Sequence, residues 1–239
     1  MIKLSKRLQA IADMVTKGYV TADIGTDHGY IPIYLIQTGK IFRALAMDVN
    51  PGPLERAREH IQRAGLEDRI QVRLSDGFAA LKQGEAECAV VAGMGGGLML
   101  RILKEGGDRI QDMKELILQP QSEIASVRAG IRELGFEIRD EDMVKEDGKY
   151  YPLMRIVPAK EPEGSRKSQE QLQMEDMFGP VLLAKKHPVL LEWIHREKHI
   201  NERILEQLPS NEKARRMEVE EKVGLLDQAV FQMNKDRKQ

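Results

Sequence analysis

The sequence predicts an α/β fold: a seven-stranded, mostly parallel sheet followed by a helical hairpin. Five short apolar runs alternate with amphipathic helical segments over residues 1–134, which is typical of a parallel sheet covered on both faces. Residues 136–159 then contain two extended runs joined by the turn "EDGK", which predicts a terminal antiparallel hairpin. The tail repeats apolar residues every three or four positions, as helices do. We expect an α/β domain over residues 1–160 and a helical domain over residues 161–239.

The elements follow from the apolar spacing in chain order. Leu4, Leu8, Ile11 and Val15 predict a first amphipathic helix. A strand at 19–24 and a helix at 29–38 come next. The later strands are predicted at "FRALAMDVN", "RIQVRLSDG", "AECAVVAGMGGG" and "KELILQP", and the later helices at "PGPLERAREHIQRAGL", "LMLRILKEG" and "SEIASVRAGIREL".

The tail predicts an antiparallel coiled coil. The stretch "AKEPEGSRKSQEQLQ" lacks periodic apolar residues and is interpreted as a linker. Two helical sets follow: Leu190, Ile194, Ile204 and Leu208, and then Val219, Val223, Leu226, Val230 and Met233. The short turn between the two sets favours a hairpin within one chain, and so a monomer. A heptad seam also pairs between chains, which leaves the oligomeric state open.

Composition limits the environment and the partners. The formal net charge is −1, so bulk charge predicts no polyanion partner, and a surface of that kind must be local. Cys88 is the single cysteine, which excludes an internal disulfide and favours a reducing compartment. No apolar segment resembles a signal peptide or a membrane span. We expect a cytoplasmic protein without a membrane partner.

The turn after the first strand, "DIGTDHG", resembles the acidic-x-Gly-x-Gly-x-Gly turn of nucleoside-binding methyltransferases, with Asp27 in place of the middle glycine. Glycine lets the backbone approach a ligand closely and take positive φ. Asp48 ends the second strand, 25 residues after Asp23, and Asp76 ends the third. Acidic residues at three consecutive strand ends indicate a nucleoside-shaped ligand. The Gly-x-Gly-x-x-Gly turn of dinucleotide folds is absent.

The fourth strand ends in "AGMGGG", residues 92–97. Backbone N–H groups on such small residues can approach a flat base or the cofactor closely. The alternative is a loop that opens a helix, with glycine selected for packing. The pattern favours neither.

Several of these segments together identify a resemblance. "LSKRL", "ADIGTDHGYIP", "AGMGG", "LILQP", "EDGKYY" and "FGP" occur in the order found in the bacterial tRNA (adenine-22-N1)-methyltransferase family, and they span nearly the whole chain. The resemblance implies a Rossmann-like class I methyltransferase domain at 1–160 and a coiled-coil domain at 161–239. It also implies S-adenosyl-L-methionine as methyl donor and tRNA as partner, with N1 of adenosine 22 in the D-arm as acceptor.

The resemblance and the strand ends together assign binding residues. The cofactor-binding set is Asp23, Gly25, His28, Gly29, Asp48, Val49, Asp76, Gly77, Ala92, Gly93 and Met94. The substrate-binding set is Gly95, Gly96, Gln119, Pro120, Gln121 and Arg7. Gln121 stands where the family often has asparagine, and it keeps the same polar groups on a longer stem.

The catalytic candidates are Asp27 and Tyr30. Asp27 could accept a hydrogen bond from the adenine N6 amino group, orient N1 and stabilise the cationic product. It could instead, or in addition, cap the helix that starts near Gly29. Tyr30 could stack on the base or pack at the helix start. His28 could contact the cofactor carboxylate or a phosphate, or serve as a structural hydrogen-bonding group.

Other readings stay open. His195 and His199 have the i, i+4 spacing of metal ligands, but no third ligand with suitable spacing is evident, and we expect no metal. The chain could methylate another RNA, a small molecule or a protein. It could also be a non-catalytic tRNA-binding protein with a vestigial cofactor fold.

Overall fold

The computed structural model describes residues 1–159, 167–209 and 211–235. The chain divides into two compact units, Met1–Ser165 and Arg166–Gln239. The predicted domain boundary at residues 160 and 161 lies outside the described residues. Among the residues described, no helix combines the length and the apolar character that crossing a membrane requires.

The first unit is built on a seven-stranded sheet in the order β3-β2-β1-β4-β5-β7-β6. β1 to β5 pair in parallel, and β7 pairs antiparallel with both β5 and β6. The strands are β1 (Thr21–Ile24), β2 (Ala44–Asp48), β3 (Ile70–Leu74), β4 (Cys88–Met94), β5 (Glu115–Pro120), β6 (Phe136–Glu146) and β7 (Lys149–Pro158). The predicted seven-stranded, mostly parallel Rossmann-like sheet is confirmed.

The described residues of this unit contain six helices, of which the first precedes β1 and the others lie between strands. They are α1 (Lys6–Met14), α2 (Tyr30–Gln37), α3 (Pro51–Arg63), α4 (Gly96–Gly106), α5 (Asp108–Gln111) and α6 (Ile124–Glu133). Ser5 caps α1 by accepting a hydrogen bond from the Leu8 N–H. Pro51 occupies the first position of α3, where its missing N–H costs no helical hydrogen bond.

The core lies on both faces of the sheet because successive side chains of a strand point to opposite sides. In β4, Ala89 and Val91 join one apolar cluster, and Cys88 and Val90 join the other. All four are fully buried. Strands buried on both faces have nearly continuous apolar sequences, as these have, so the cysteine is part of the core.

The β6–β7 hairpin forms one edge of the sheet, with β6 as the outermost strand. Its turn places Asp147 at φ +49° and Gly148 at φ +74°. Two consecutive positive φ values match the twist of the flanking strands, and Asp-Gly adopts them at low cost. The "EDGK" turn predicted from the sequence is therefore confirmed.

The second unit is helical. Its described helices are α7 (Gln169–Phe178), α8 (Pro180–Ala184), α9 (Pro188–Gln207) and α10 (Lys213–Asn234). The predicted linker ends too late, because its last residues already form α7. Ser168 accepts from the Gln171 N–H, and the Gln171 side chain accepts from the Ser168 N–H. This capping box starts a helix that apolar periodicity alone does not reveal.

α9 and α10 form an antiparallel hairpin. Glu197 and Lys198 near the middle of α9 pair with Lys222 and Asp227 of α10. Arg216, near the start of α10, donates to the carbonyl oxygens of residues 205 and 208 at the end of α9. The start of α10 therefore lies beside the end of α9, which is possible only if the two helices are antiparallel. Of the predicted seam, Val219, Leu226 and Met233 are buried.

Candidate active site

A cleft of about 350 Å³ opens at the carboxyl ends of β1 and β4. β1 and β4 are neighbours in the sheet, with β2 and β3 added on the β1 side and β5 to β7 on the β4 side. The crevice between two such strands is where open α/β sheets usually bind their ligands. The lining residues are Arg7, Leu8, Asp23, Gly25, Thr26, Asp27, His28, Tyr30, Ile31, Ala92, Gly93 and Gln121. The cleft thus brings together predicted residues from α1, the turn after β1, the end of β4 and the end of β5.

The turn after β1 is held in an unusual backbone conformation. Gly25, Asp27 and Gly29 have φ of +78°, +43° and +69°. The N–H groups of Gly25 and Thr26 both donate to the Met47 carbonyl at the end of β2. Glycine adopts positive φ freely, whereas at Asp27 this conformation carries a steric cost.

Gly29, predicted to bind the cofactor, is buried and is not among the lining residues of the cleft. A Cβ on it would be in van der Waals contact with the Ala57 Cβ of α3, at 3.4 Å, so Gly29 lies between the turn and that helix. Gly25 does line the cleft, and its backbone is exposed. The two glycines of the turn therefore serve different contacts.

Asp23 lies at the floor of the cleft and is only 4% exposed. Burial raises its pKa to about 7, and the negative charge of Asp48 adds to the shift. The Thr26 hydroxyl donates to Asp23 Oδ2 at 2.6 Å and partly opposes that rise. Near neutral pH this carboxyl is divided between its charged and neutral forms.

Asp27 is not the cap of α2. The N-cap is Gly29, and no side chain bonds to the first N–H groups of the helix. The Asp27 carboxylate instead accepts from Arg56 Nη2 of α3 at 2.5 Å and lies 3.4 Å from His28 Nε2. Its side chain is 55% exposed at the cleft. The structure therefore leaves this carboxylate available to a ligand.

His28 and Tyr30 form an aromatic cluster with His60 of α3. The three ring planes are within 24° of parallel, and the centroids are 5.0 to 5.5 Å apart. His60 Nδ1 lies 3.0 Å from the His28 carbonyl oxygen. Because a carbonyl only accepts, this nitrogen carries the hydrogen and donates. Tyr30 is thus packed at the helix start and also lines the cleft.

The glycine run after β4 is closely packed. A Cβ on Gly96 would lie 2.5 Å from the Ser122 carbonyl oxygen. The Gly96 N–H donates to Ser122 Oγ, and the Gly97 N–H donates to Glu123 Oε2. The predicted substrate-binding residue Gly96 thus has its donor bound inside the protein, and neither it nor Gly95 lines the cleft. The packing interpretation fits Gly96.

Gln119 is a second correction among the predicted substrate-binding residues. Its side chain is fully buried, where RNA cannot reach it. Its Oε1 accepts from Arg7 Nη1 at 3.0 Å, and its Nε2 donates to the Pro120 carbonyl oxygen. Pro120 is also buried. Gln119 therefore fixes Arg7, which lines the cleft together with the exposed Gln121.

The predicted cofactor residues Asp48, Val49, Asp76 and Gly77 are not among the lining residues of the cleft and lie at or just after the carboxyl ends of β2 and β3. Asp48 ends β2 and accepts from the Asn50 N–H, and Val49 after it is 53% exposed. Asp76 follows β3, half-exposed, 3.8 Å from Arg101. Gly77 faces inward, because a Cβ there would meet Ile102 at 2.9 Å.

The geometry fits a nucleoside cofactor with a cationic end. Gly25 and Gly93 leave open backbone at the cleft, and a Cβ on Gly25 would lie 3.3 Å from the Met94 Cε. Two buried carboxylates, Asp23 one residue before the end of β1 and Asp48 at the end of β2, lie on neighbouring strands. Carboxylates at these ends suit ribose hydroxyls and positive charge.

Comparison with known proteins decides the family. The model described as "Methyltransferase domain" matches residues 4–154. The tRNA (adenine(22)-N(1))-methyltransferase of Bacillus subtilis is 34% identical over 207 residues, which cover 87% of this chain and 86% of the relative. The chain belongs to the tRNA (adenine-22-N1)-methyltransferase family.

Solved structures extend the match to nearly the whole chain. A Streptococcus pneumoniae protein in complex with S-adenosyl-L-methionine has a TM-score of 0.83 at 31% identity, covering 95% of this chain and 99% of its own. The M. capricolum methyltransferase TrmK, in complex with S-adenosyl-homocysteine, has a TM-score of 0.81 at 25% identity, covering 96% and 99%. Both alignments thus include both units of this chain, and these two relatives were solved with the cofactor or its product bound.

Sequence reasoning missed the residues that support this site from other segments. They are Arg56 and His60 of α3, and Ser122 and Glu123 after β5. Nothing in their local sequence indicates the partner, because each partner is about 26 to 32 residues away in the chain. Thr26 was also missed, although a hydroxyl three residues after Asp23 is visible in the turn.

Proposed function

We propose that this protein transfers the methyl group of S-adenosyl-L-methionine to N1 of adenosine 22 in the D-arm of tRNA. The observation that carries the proposal is Asp27, a half-exposed carboxylate at the cleft lined by Gly25 and Gly93. Membership of the tRNA (adenine-22-N1)-methyltransferase family supports the acceptor.

The cofactor side of the cleft comprises Asp23, Gly25, His28, Ala92 and Gly93, with Met94 behind Gly25. S-adenosyl-L-methionine, when bound, supplies a methyl group on a positively charged sulfur. Asp23 and Asp48 offer carboxylates to the positive charge and the ribose. We assign the adenine to Val49 and Asp76 because they follow β2 and β3, the next strands from β1 in the sheet. Gly25 keeps the approach open because it carries no side chain.

Asp27 has the central role in the transfer. Adenine N1 has an in-plane lone pair that is mostly unprotonated at neutral pH, so the reaction needs alignment more than a strong base. A carboxylate that accepts from the N6 amino group would turn N1 toward the methyl group. The N1–carbon bond forms as the sulfur–carbon bond breaks, and the ring becomes a cation. Asp27 stabilises that charge as it develops.

The acceptor base must be unpaired, because N1 lies on its Watson–Crick edge. Tyr30, in the cluster with His28, offers a ring at the cleft for stacking. Arg7 and Gln121 line the same cleft and can donate to the phosphate or to the base. Gln119 contributes indirectly through Arg7.

The test is methyl transfer from labelled donor to an unmodified tRNA transcript, with mass-spectrometric mapping of the product nucleoside. We expect N1-methyladenosine at position 22, and no label when that adenosine is replaced by guanosine. Equal labelling of both transcripts would exclude this acceptor. Label on another RNA, a small molecule or a protein only would favour those substrates. Absence of cofactor binding in calorimetry would favour a non-catalytic tRNA-binding protein.

A matched variant tests Asp27. Asp27→Asn keeps the shape and tolerates the positive φ, but removes the charge. We expect turnover to fall by about a hundredfold, as when a group that stabilises developing charge is removed. The affinity for the cofactor should change by about twofold or less. Equal losses in both quantities would assign Asp27 to cofactor binding.

A further inference from the structure

Two side chains of α3 reach the turn after β1. Arg56 Nη2 donates to Asp27 Oδ1, and His60 Nδ1 donates to the carbonyl oxygen of His28. Residues four apart lie on one face of a helix, so both contacts come from the same side of α3. One contact holds a side chain, and the other holds the backbone next to it.

The turn needs support from outside its own segment. Asp27 has a positive φ, which aspartate and asparagine adopt more readily than other residues with a Cβ but less freely than glycine. No side chain of the turn caps α2. Strained backbone of this kind persists when the surrounding structure fixes it. Among the contacts described for Asp27, Arg56 provides the short charge-assisted hydrogen bond.

α3 is anchored in the core of the domain and can therefore hold the turn in place. Ala57 and Ile61 are buried in the core, and a Cβ on Gly29 would already contact Ala57 at 3.4 Å. The His60 ring adds contacts with the rings of His28 and Tyr30. The helix and the turn are thus packed together directly after Arg56, at Ala57, His60 and Ile61.

The Arg56–Asp27 pair contributes little to folding. Its side chains are 48% and 55% exposed, and exposed ion pairs of this kind add little to stability. Small errors in the position of a reacting group, in contrast, reduce rates strongly. The Arg56–Asp27 contact adds little stability, yet it is made to a candidate catalytic carboxylate. Its role is therefore better explained by the orientation of that carboxylate.

We propose that Arg56 and His60 are positioning residues for methyl transfer, which hold the Asp27 carboxylate and the backbone of His28 beside it in the geometry from which Asp27 contacts the acceptor base. The proposal rests on the function proposed above, because it requires that Asp27 act on the acceptor. Arg56 orients the carboxylate directly. His60 fixes the backbone that carries it.

The first experiment compares Arg56→Gln with Arg63→Gln. Arg63 pairs with Glu59 on the same helix and does not reach the turn, which makes its variant a matched control. We expect Arg56→Gln to lower kcat about tenfold, with thermal stability and cofactor affinity close to the parent. Arg56→Lys should recover part of the loss. Equal activity of the Arg56→Gln and Arg63→Gln variants would overturn the proposal.

A double variant tests whether Arg56 acts through Asp27. If it does, Asp27→Asn combined with Arg56→Gln is no slower than Asp27→Asn alone. Multiplied losses would show independent roles and would overturn the proposal. A parent-like kcat for Asp27→Asn alone would instead refute the role of Asp27 in the proposed function, so the two failures can be told apart.

His60 is tested with two opposite replacements. His60→Asn keeps a donor near the position of Nδ1 but loses the ring, whereas His60→Phe keeps a ring but loses the donor. We expect the Phe variant to show the larger loss of kcat and faster hydrogen exchange of the amides of residues 26–29. The exchange readout does not depend on activity. A larger loss in the Asn variant, or unchanged exchange in both, would refute the role of the His60 hydrogen bond.

Discussion

Two glycine-containing turns meet at the cleft, and they use glycine in opposite ways. After β1, Gly25 leaves an open backbone beside a half-exposed Asp27. After β4, Gly96 is packed against the loop after β5, and Ser122 and Glu123 bind the first N–H groups of α4. In the first turn the backbone donors are bonded to β2, but an exposed glycine and a half-exposed carboxylate face the cleft. In the second, Gly96 and Gly97 are bonded to the loop after β5, so this turn joins that loop to the start of α4.

The largest expected effect comes from Asp23 in the first turn. Its folded-state pKa of about 7 lies above the ordinary value of 3.8, so the folded protein keeps a proton that the unfolded chain loses. Stability therefore falls as pH rises from about 4 to about 7, and stays at the lower level above. Asp23→Asn removes this titration. The variant should gain on the order of 4 kcal/mol relative to the parent between pH 4 and pH 8.

Calorimetric unfolding of parent and variant across this pH range measures the difference. Tryptophan fluorescence is unsuitable, because the single tryptophan, Trp193, belongs to the second unit. A stability difference that stays constant with pH would mean that Asp23 ionises normally in the fold. The burial of the carboxyl would then be offset by contacts other than Thr26.

The second effect is Gly96→Ala in the glycine run. The new methyl group would meet the Ser122 carbonyl oxygen at 2.5 Å and Val127 Cγ2 at 2.9 Å, so α4 or the loop must shift. We expect a loss of about 3 kcal/mol of unfolding free energy, as for severe overpacking. Gly97→Ala is the control, since its methyl group meets only the flexible end of Glu123 at 3.3 Å. Similar stability of both variants would contradict the packing role.

The third effect is Gly25→Ala in the first turn. Alanine at φ +78° should cost about 1–2 kcal/mol of stability. Gly18→Ala is the matched control, because Gly18 has φ +91° and no atom within 4 Å of an added Cβ. The two should lose similar stability, but only Gly25→Ala should weaken cofactor binding in calorimetry. Parent-like cofactor affinity of Gly25→Ala would place the ligand elsewhere.

The smallest effect is Ser122→Ala, which removes the hydroxyl that accepts from the Gly96 N–H. Loss of a helix cap of this type costs about 1 kcal/mol. The bond is long, at 3.3 Å, so a value at or below that figure is expected. Denaturation followed by circular dichroism would measure it. A change in kcat larger than the change in stability would show that this loop contacts the substrate after all.

Most of the fold was visible in the sequence because the signals are local. Alternation of strands and helices, the "EDGK" turn and the heptad spacing of Val219, Leu226 and Met233 depend on neighbours within a few residues. The predicted linker was wrong at its end, where the capping box of Ser168 and Gln171 starts α7 with little apolar periodicity. Capping is a hydrogen-bond pattern, so apolar spacing did not reveal it.

The sequence by itself determined the sheet, the hairpin, the family and the residue types at the strand ends. Only the tertiary structure decided which of these residues share the cleft. It placed Gly29 and Gly96 in packing contacts, buried Gln119 under Arg7, and brought Arg56 and His60 to Asp27 and His28. The physical reason is that a turn or cap depends on adjacent residues. The direction of a side chain toward a segment about 30 residues away depends on how helices pack on the sheet.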